Sequence, residues 1–291
     1  MKIIDAHMHF YRSPGFEEIA KLAGHENTAE HYLKACRENN VVMSIAMGNA
    51  RSEKAHFGGS TPRVPDLAGD FDFAHYNQPK EIAYCAGVDS DKLDPGNADK
   101  TAQEFERYVK KPECVGLKIY LGYNAVYAYD PVHFPLYELA QQYDIPVAFH
   151  TGDLAGGHGQ LKYAQPLTVD DVAVRFPKVR FVICHCGNPW LKEAVEVASK
   201  NENVYVDMSG LLEGKFDGKV FYDKHQSYFS YMRMWLDYID RYDKFMYGTD
   251  WPLINIRSYI DVMKLVIPPE HHQKFFYDNA LHVYSKLGKL L

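Results

Sequence analysis

The sequence predicts a (β/α)8 TIM barrel built as one domain over residues 1–291. Three observations carry that prediction. The length of 291 residues falls in the range of single-domain α/β barrels, about twice the usual domain length. Eight short β-rich runs alternate with helix-length amphipathic runs. Most of the eight are near-continuously apolar, as strands buried on both faces must be. A doubly wound open sheet would share the alternation, but no glycine fingerprint follows the first strand.

The strands are predicted at 2–9, 41–48, 81–88, 114–121, 145–150, 180–186, 203–208 and 244–249. Helix patterns stand between them at 28–39, 99–111, 131–143 and 190–200, the first opened by Thr28 as N-cap. Residues 258–287 read as two or three C-terminal helices capping the barrel. Three connections, 49–79, 151–167 and 209–228, are too long for ordinary turns. All three follow strands, so they are extended βα loops on the carboxyl-end face and are expected to wall a site.

Composition excludes several classes. The hydrophobic fraction of 46% and charged fraction of 24% are those of a globular chain. Net charge is −6, which argues against a nucleic-acid partner. No apolar run approaches the ~18 residues of a bilayer span, so no membrane partner is expected. The N-terminus shows no signal-peptide core, and five cysteines without framework spacing point to reduced thiols. A cytoplasmic location is the expectation.

The polar residues at strand ends carry the chemistry. His7 and His9 lie two apart on one strand, so both imidazoles face one side, and Asp5 is expected to share it. Such a pair satisfies two positions of a zinc-type ligand set, although a hydrogen-bonded core pair has the same pattern. Lys118 interrupts an apolar strand, a costly burial unless it is paired or modified. His150, His185 and Asp250 end the fifth, sixth and eighth strands. Together they predict one metal site, or two adjacent ones. Alternation turns Cys184 and Cys186 outward as small buried hydrophobes if His185 faces in. Around the mouth, Arg51, Tyr120, His158, Asp207 and Trp251 are candidate substrate contacts, and Asp207 with Ser209 is placed to bond a ligand residue as well.

This ordered set resembles the amidohydrolase superfamily, in particular the amidohydrolase-related branch of aminocarboxymuconate-semialdehyde decarboxylase relatives. The matching pieces are His7-Met8-His9, His150, His185 in HCGNPW, Asp250 in YGTDWP and the DNALHVY segment at 278–284. The resemblance implies a divalent metal, zinc first and manganese second, held by His7, His9, His150 and Asp250. It implies His185 near the metal-bound water as a catalytic group with Asp250. In two-metal members the strand-four lysine is carboxylated, so Lys118 would bridge and His150 and His185 would hold the second ion. Dimers are common there, which makes a homodimer the expectation. One departure stands out: Asn188 occupies a place where the decarboxylase relatives often carry glutamate, which favours hydrolysis over decarboxylation.

The chemistry expected is hydrolysis of an amide, ester or lactone bond in a small substrate by a metal-activated water, with Asp250 moving the proton. The alternative is non-oxidative decarboxylation of a small unsaturated or aromatic acid. A barrel holding its metal only structurally is the third reading, and it needs a closed ligand set with no open position.

Overall fold

The computed structural model describes residues 1–9, 14–48, 79–155 and 157–291. Its centre is a sheet of eight parallel strands in sequential order. They are β1 (Ile3–Met8), β2 (Val41–Met47), β3 (Ile82–Val88), β4 (Cys114–Ile119), β5 (Val147–Phe149), β6 (Phe181–Ile183), β7 (Val204–Asp207) and β8 (Phe245–Met246). The barrel closes between its first and last strands. Ala6 N donates to Tyr247 O at 2.9 Å, Asp250 N to His7 O at 2.8 Å and His9 N to Trp251 O at 2.8 Å.

Among the described residues ten α-helices accompany the strands: α1 (Pro14–Leu22), α2 (Ala29–Glu38), α3 (Ala98–Val109), α4 (Phe134–Gln142), α5 (Thr168–Arg175), α6 (Leu191–Lys200), α7 (Gly218–Lys224), α8 (Gln226–Ile239), α9 (Ile256–Val266) and α10 (Asn279–Val283). Thr28 caps α2 as expected, its hydroxyl accepting from His31 N at 3.2 Å. Some helices lie where the sequence pattern showed none or a loop. The segment after β1 forms α1, and the connection expected at 209–228 contains α7 and the start of α8.

Two apolar layers hold the barrel. Ile4, Ala6, Met43, Ile45, Ala83, Val115, Ala148, Val182 and Met246 fill the inside. A larger layer lies between strands and helices. The C-terminal segment covers the end opposite the loops. Val283, Tyr284 and Leu287 join the inner layer, and Val283 O accepts from Arg180, the residue before β6, at 2.8 Å. That face is therefore plugged, and any opening lies at the carboxyl ends of the strands. Among the described residues no helix is long and apolar enough to cross a membrane.

The strand ends differ from the expected ones in a consequential way. β5, β6 and β8 stop at Phe149, Ile183 and Met246, short of His150, His185 and Asp250. The functional side chains thus stand on the first residues that leave the sheet.

Candidate metal centre

The mouth of the barrel gathers His7, His9, His150, His185, Asp207 and Asp250. His7 Nε2 lies 3.4 Å and His9 Nε2 3.1 Å from Asp250 Oδ1. These three donors fall within 4.8 Å of one another and are buried. His7, His185 and Asp207 satisfy the same distance criterion. His7 Nε2 is buried without a hydrogen-bond partner. Two imidazoles and a carboxylate around an unspent nitrogen are the donor set of a divalent ion, so these residues fit one.

The ring of His7 is fixed from behind. Its Nδ1 lies 2.9 Å from Asp207 Oδ2, which puts the proton on Nδ1 and leaves Nε2 as the donor atom. Asp207 Oδ1 accepts from His185 N at 3.1 Å, Ser209 N at 3.2 Å and Ser209 Oγ at 2.5 Å. Burial alone would push the Asp207 carboxyl up. The charge and hydrogen bond of His7, with His185 and Lys118, outweigh it and hold Asp207 well below the usual range. Burial likewise opposes the charge on Asp250, but His185, His9 and His7 keep it strongly ionised. Burial lowers His7 to about 4 and His150 well below its ordinary value. Neutral imidazoles and ionised carboxylates are the protonation states that ligation requires.

His150 and His185 are paired with each other. His185 Nε2 lies 3.1 Å from His150 Nδ1, and His150 Nε2 donates to Asp153 O at 2.9 Å. On its other side His185 Nδ1 is 3.0 Å from Ser209 Oγ and 3.9 Å from Asp250 Oδ2. Tyr120 stacks on His150 at 6.4 Å, and Tyr123 tilts against it at 4.7 Å.

Backbone geometry aims these groups. His185 and Cys186 have φ of 60° and 48°, Gly187 follows at 61°, and Asp250 stands at 57°. The other non-glycine residues with positive φ among those described are Asn40, Asp144 and Asp240, types that tolerate it. A left-handed histidine and cysteine at the mouth cost conformational energy, which the surrounding packing must offset. Gly210 completes the cradle. A Cβ there would sit 2.7 Å from His185 Nδ1 and 2.8 Å from Asp250 Oδ2, on a backbone at φ 62°. Gly210→Ala is therefore expected to cost about 1–3 kcal/mol of stability and to weaken metal retention at least tenfold. Thermal melting and chelator competition measure the two effects. Sequence alone gave no signal for Gly210 beyond its place after a strand.

Several expectations need correction. Asp5 does not share the face of His7. The register shifts between Asp5 and Met8, where three steps on β1 oppose two on β2. Asp5 turns instead to Thr249 Oγ1 at 2.6 Å and Tyr32 of α2 at 3.4 Å. Trp251 is fully buried against Tyr32 at 4.8 Å and His25 at 6.1 Å, beneath α2 rather than in the mouth. The left-handed turn at Asp250 sends the next side chain the other way. Asp207 is fully buried behind His7, with its Oδ2 2.9 Å from His7 Nδ1. His158 is exposed and has no hydrogen bond or ion pair with the cluster among the described residues. Cys184 faces the inner layer, not the helices, because it continues the alternation of β6, which breaks only at left-handed His185; Cys186 does face outward. Lys118 points inward as expected, but its Nζ meets Cys184 Sγ at 3.0 Å. Arg51 lies outside the described residues.

Comparison with known proteins completes the description. The amidohydrolase family Amidohydro_2 matches residues 4–286. This chain belongs to that family. Amidohydrolases of this kind are metal-dependent enzymes. The fold is similar to a dihydroxybenzoic acid decarboxylase from Polaromonas sp. with bound manganese and 2-nitroresorcinol. The TM-score is 0.64 at 17% identity, covering 98% of this chain and 97% of that one. It is also similar to 5-carboxyvanillate decarboxylase from Sphingomonas paucimobilis, with TM-score 0.64, 13% identity and coverage of 98% and 99%. A probable 2-pyrone-4,6-dicarboxylic acid hydrolase from Acinetobacter baumannii, with citric acid bound, gives TM-score 0.61, 15% identity and coverage of 98% and 100%. At these identities the likeness establishes the fold. No curated protein matches the chain.

Proposed function

We propose that this amidohydrolase is a one-metal enzyme that removes carbon dioxide from a small, planar, unsaturated or aromatic carboxylic acid. The observation that carries the reading is the cluster of His7, His9 and Asp250, with His7 Nε2 unspent; the other group, His7, His185 and Asp207, shares His7, and its Asp207 is taken up by hydrogen bonds from His7, His185 and Ser209. The residues a second ion would need are engaged elsewhere. Lys118 is directed at Cys184, and His150 and His185 bond each other. Tyr120 and Tyr123 beside His150 suit a flat substrate. The carboxylated aromatic substrates in the names of two similar structures agree with that class.

A divalent ion, zinc or manganese, would be held by His7, His9 and Asp250 and would supply positive charge to bind and polarise the substrate carboxylate or an adjacent oxygen. Asp207 keeps His7 in the tautomer that ligates. His185, fixed between Ser209 and His150, is the proton donor to the carbon that loses carbon dioxide. The carbon–carbon bond electrons remain on that carbon, and the proton of His185 joins them. Asp250, 3.9 Å from His185, balances the charge that His185 carries when it is protonated.

Hydrolysis of a lactone, ester or amide is the second reading, favoured by one observation. Asp250 places a carboxylate at the mouth, 3.1 Å from His9 Nε2 and 3.4 Å from His7 Nε2, where a water bound to the ion would meet a proton acceptor. Asn188 no longer separates the two readings. Its backbone oxygen accepts from Asp153 N at 2.8 Å, and its side chain has no hydrogen bond among the described residues. The test incubates zinc- or manganese-loaded enzyme with hydroxybenzoic acids and pyrone carboxylates in labelled water. Decarboxylation releases carbon dioxide and puts one solvent hydrogen on carbon. Oxygen-18 in the product without carbon dioxide would select hydrolysis. Neither product from any acid or lactone tried would remove both readings.

A further inference from the structure

We propose that Lys118 and Cys184 are a built-in oxidative cross-link site, joining covalently when the thiol is oxidised. The inference is independent of the reaction the enzyme performs. Lys118 lies on β4 and Cys184 directly after β6, and both are fully buried inside the barrel. The ammonium nitrogen is 3.0 Å from the sulfur. The ring of Tyr120 lies 5.2 Å from the same nitrogen. Among the described residues no carboxylate stands at ion-pair distance from Lys118, so no ion pair draws the nitrogen away from the thiol.

The chemistry balances with hydrogen peroxide as oxidant. The thiol takes one oxygen from peroxide, giving sulfenic acid and water; sulfur loses two electrons and peroxide gains them. The Lys118 ammonium gives up one proton to water, and the neutral amine then attacks the sulfur. A sulfur–nitrogen bond forms, the sulfur–oxygen bond breaks, and the hydroxyl leaves with an amine proton as water. The product is a sulfenamide two hydrogens lighter than the separate side chains. Sulfenic acids are captured this way when a nitrogen is at hand, and climb to irreversible acids when none is. A fixed nitrogen in contact has the advantage of an intramolecular reactant. Cys184 precedes His185, which is 9% exposed at the mouth, and peroxide is little larger than water. An added thiol reverses the link by attacking sulfur and releasing the amine. The amine so captured is the one that carboxylation would consume, so the two modifications exclude each other.

The experiment treats the folded wild-type enzyme with hydrogen peroxide and maps its peptides by mass spectrometry without reductant. Exposed Met234 reports the dose. The expected result is a linked peptide pair containing Lys118 and Cys184, two hydrogens lighter than the sum, lost after dithiothreitol. In Lys118→Met the same dose is expected to carry Cys184 to sulfinic and sulfonic acids. Three wild-type results would overturn the proposal: Cys184 carrying oxygen with no link, Cys184 bonded to another cysteine, or Cys184 intact where Met234 is fully oxidised. If Lys118→Met does not fold, the wild-type map alone decides.

Discussion

Asp250→Asn is expected to lower turnover by at least about three orders of magnitude while the barrel remains folded. The change is nearly isosteric, but it removes the charge that faces His7, His9 and His185. One donor of the cluster becomes a weak amide ligand, and the group that balances a protonated His185 becomes neutral. Both effects act on the same step, so the loss is larger than for a single proton-transfer group. The fold is expected to persist because the loop is held by its backbone. Asp250 N donates to His7 O at 2.8 Å, and Leu253 N donates to Asp250 O at 3.1 Å, whichever side chain is present. Steady-state kinetics on the first acid or lactone that turns over, with a melting curve on the same preparation, checks the claim. Near-normal activity in the variant would contradict the role given to Asp250.

Asp207→Asn is the second large effect, and it acts at a distance from the substrate. Asp207 accepts four hydrogen bonds, one from His7 Nδ1 and three at its other oxygen from His185 N, Ser209 N and Ser209 Oγ. An asparagine offers one oxygen and one amide. If the amide faces His7, the imidazole must accept at Nδ1 and carry its proton on Nε2, which removes the lone pair from the cluster. If the amide faces Ser209, two backbone N–H groups lose their acceptor in a buried place. Metal affinity is expected to fall about 10–100-fold, the usual consequence of losing the partner behind a ligating histidine. Stability is expected to fall by about 1–3 kcal/mol for the unpaired groups. Chelator competition gives the first quantity and denaturant unfolding of the metal-free protein the second. Unchanged affinity would mean that His7 does not ligate through Nε2.

The barrel was legible because its strands are continuous apolar runs, and a polar residue at the end of such a run has few reasons to be there. His7, His9, His150, His185 and Asp250 stood out on that ground, and the structure brings all five to one mouth. What was not legible traces to local backbone events. The extra residue in β1 moved Asp5 to the outer face, and no side-chain pattern marks a bulge that the neighbouring strand imposes. The outward direction of Cys184 was inferred from an inward His185, but His185 is left-handed and breaks the alternation there, so Cys184 keeps the inward phase of β6. Trp251 follows a left-handed aspartate, and its ring is buried under α2 for that reason. Lys118 shows the limit from the other side. Its burial followed from its apolar neighbours, but its partner lies 66 residues away, directly after β6, and only the folded chain shows it.

The central claim is that His7, His9 and Asp250 hold one divalent ion. Metal content per chain tests it most directly, measured by elemental analysis on wild type, His7→Ala and His9→Ala purified without chelator. The account predicts close to one equivalent in the wild type, lost from both variants while their circular dichroism persists. Two equivalents in the wild type, or a full equivalent retained by the variants, would contradict it.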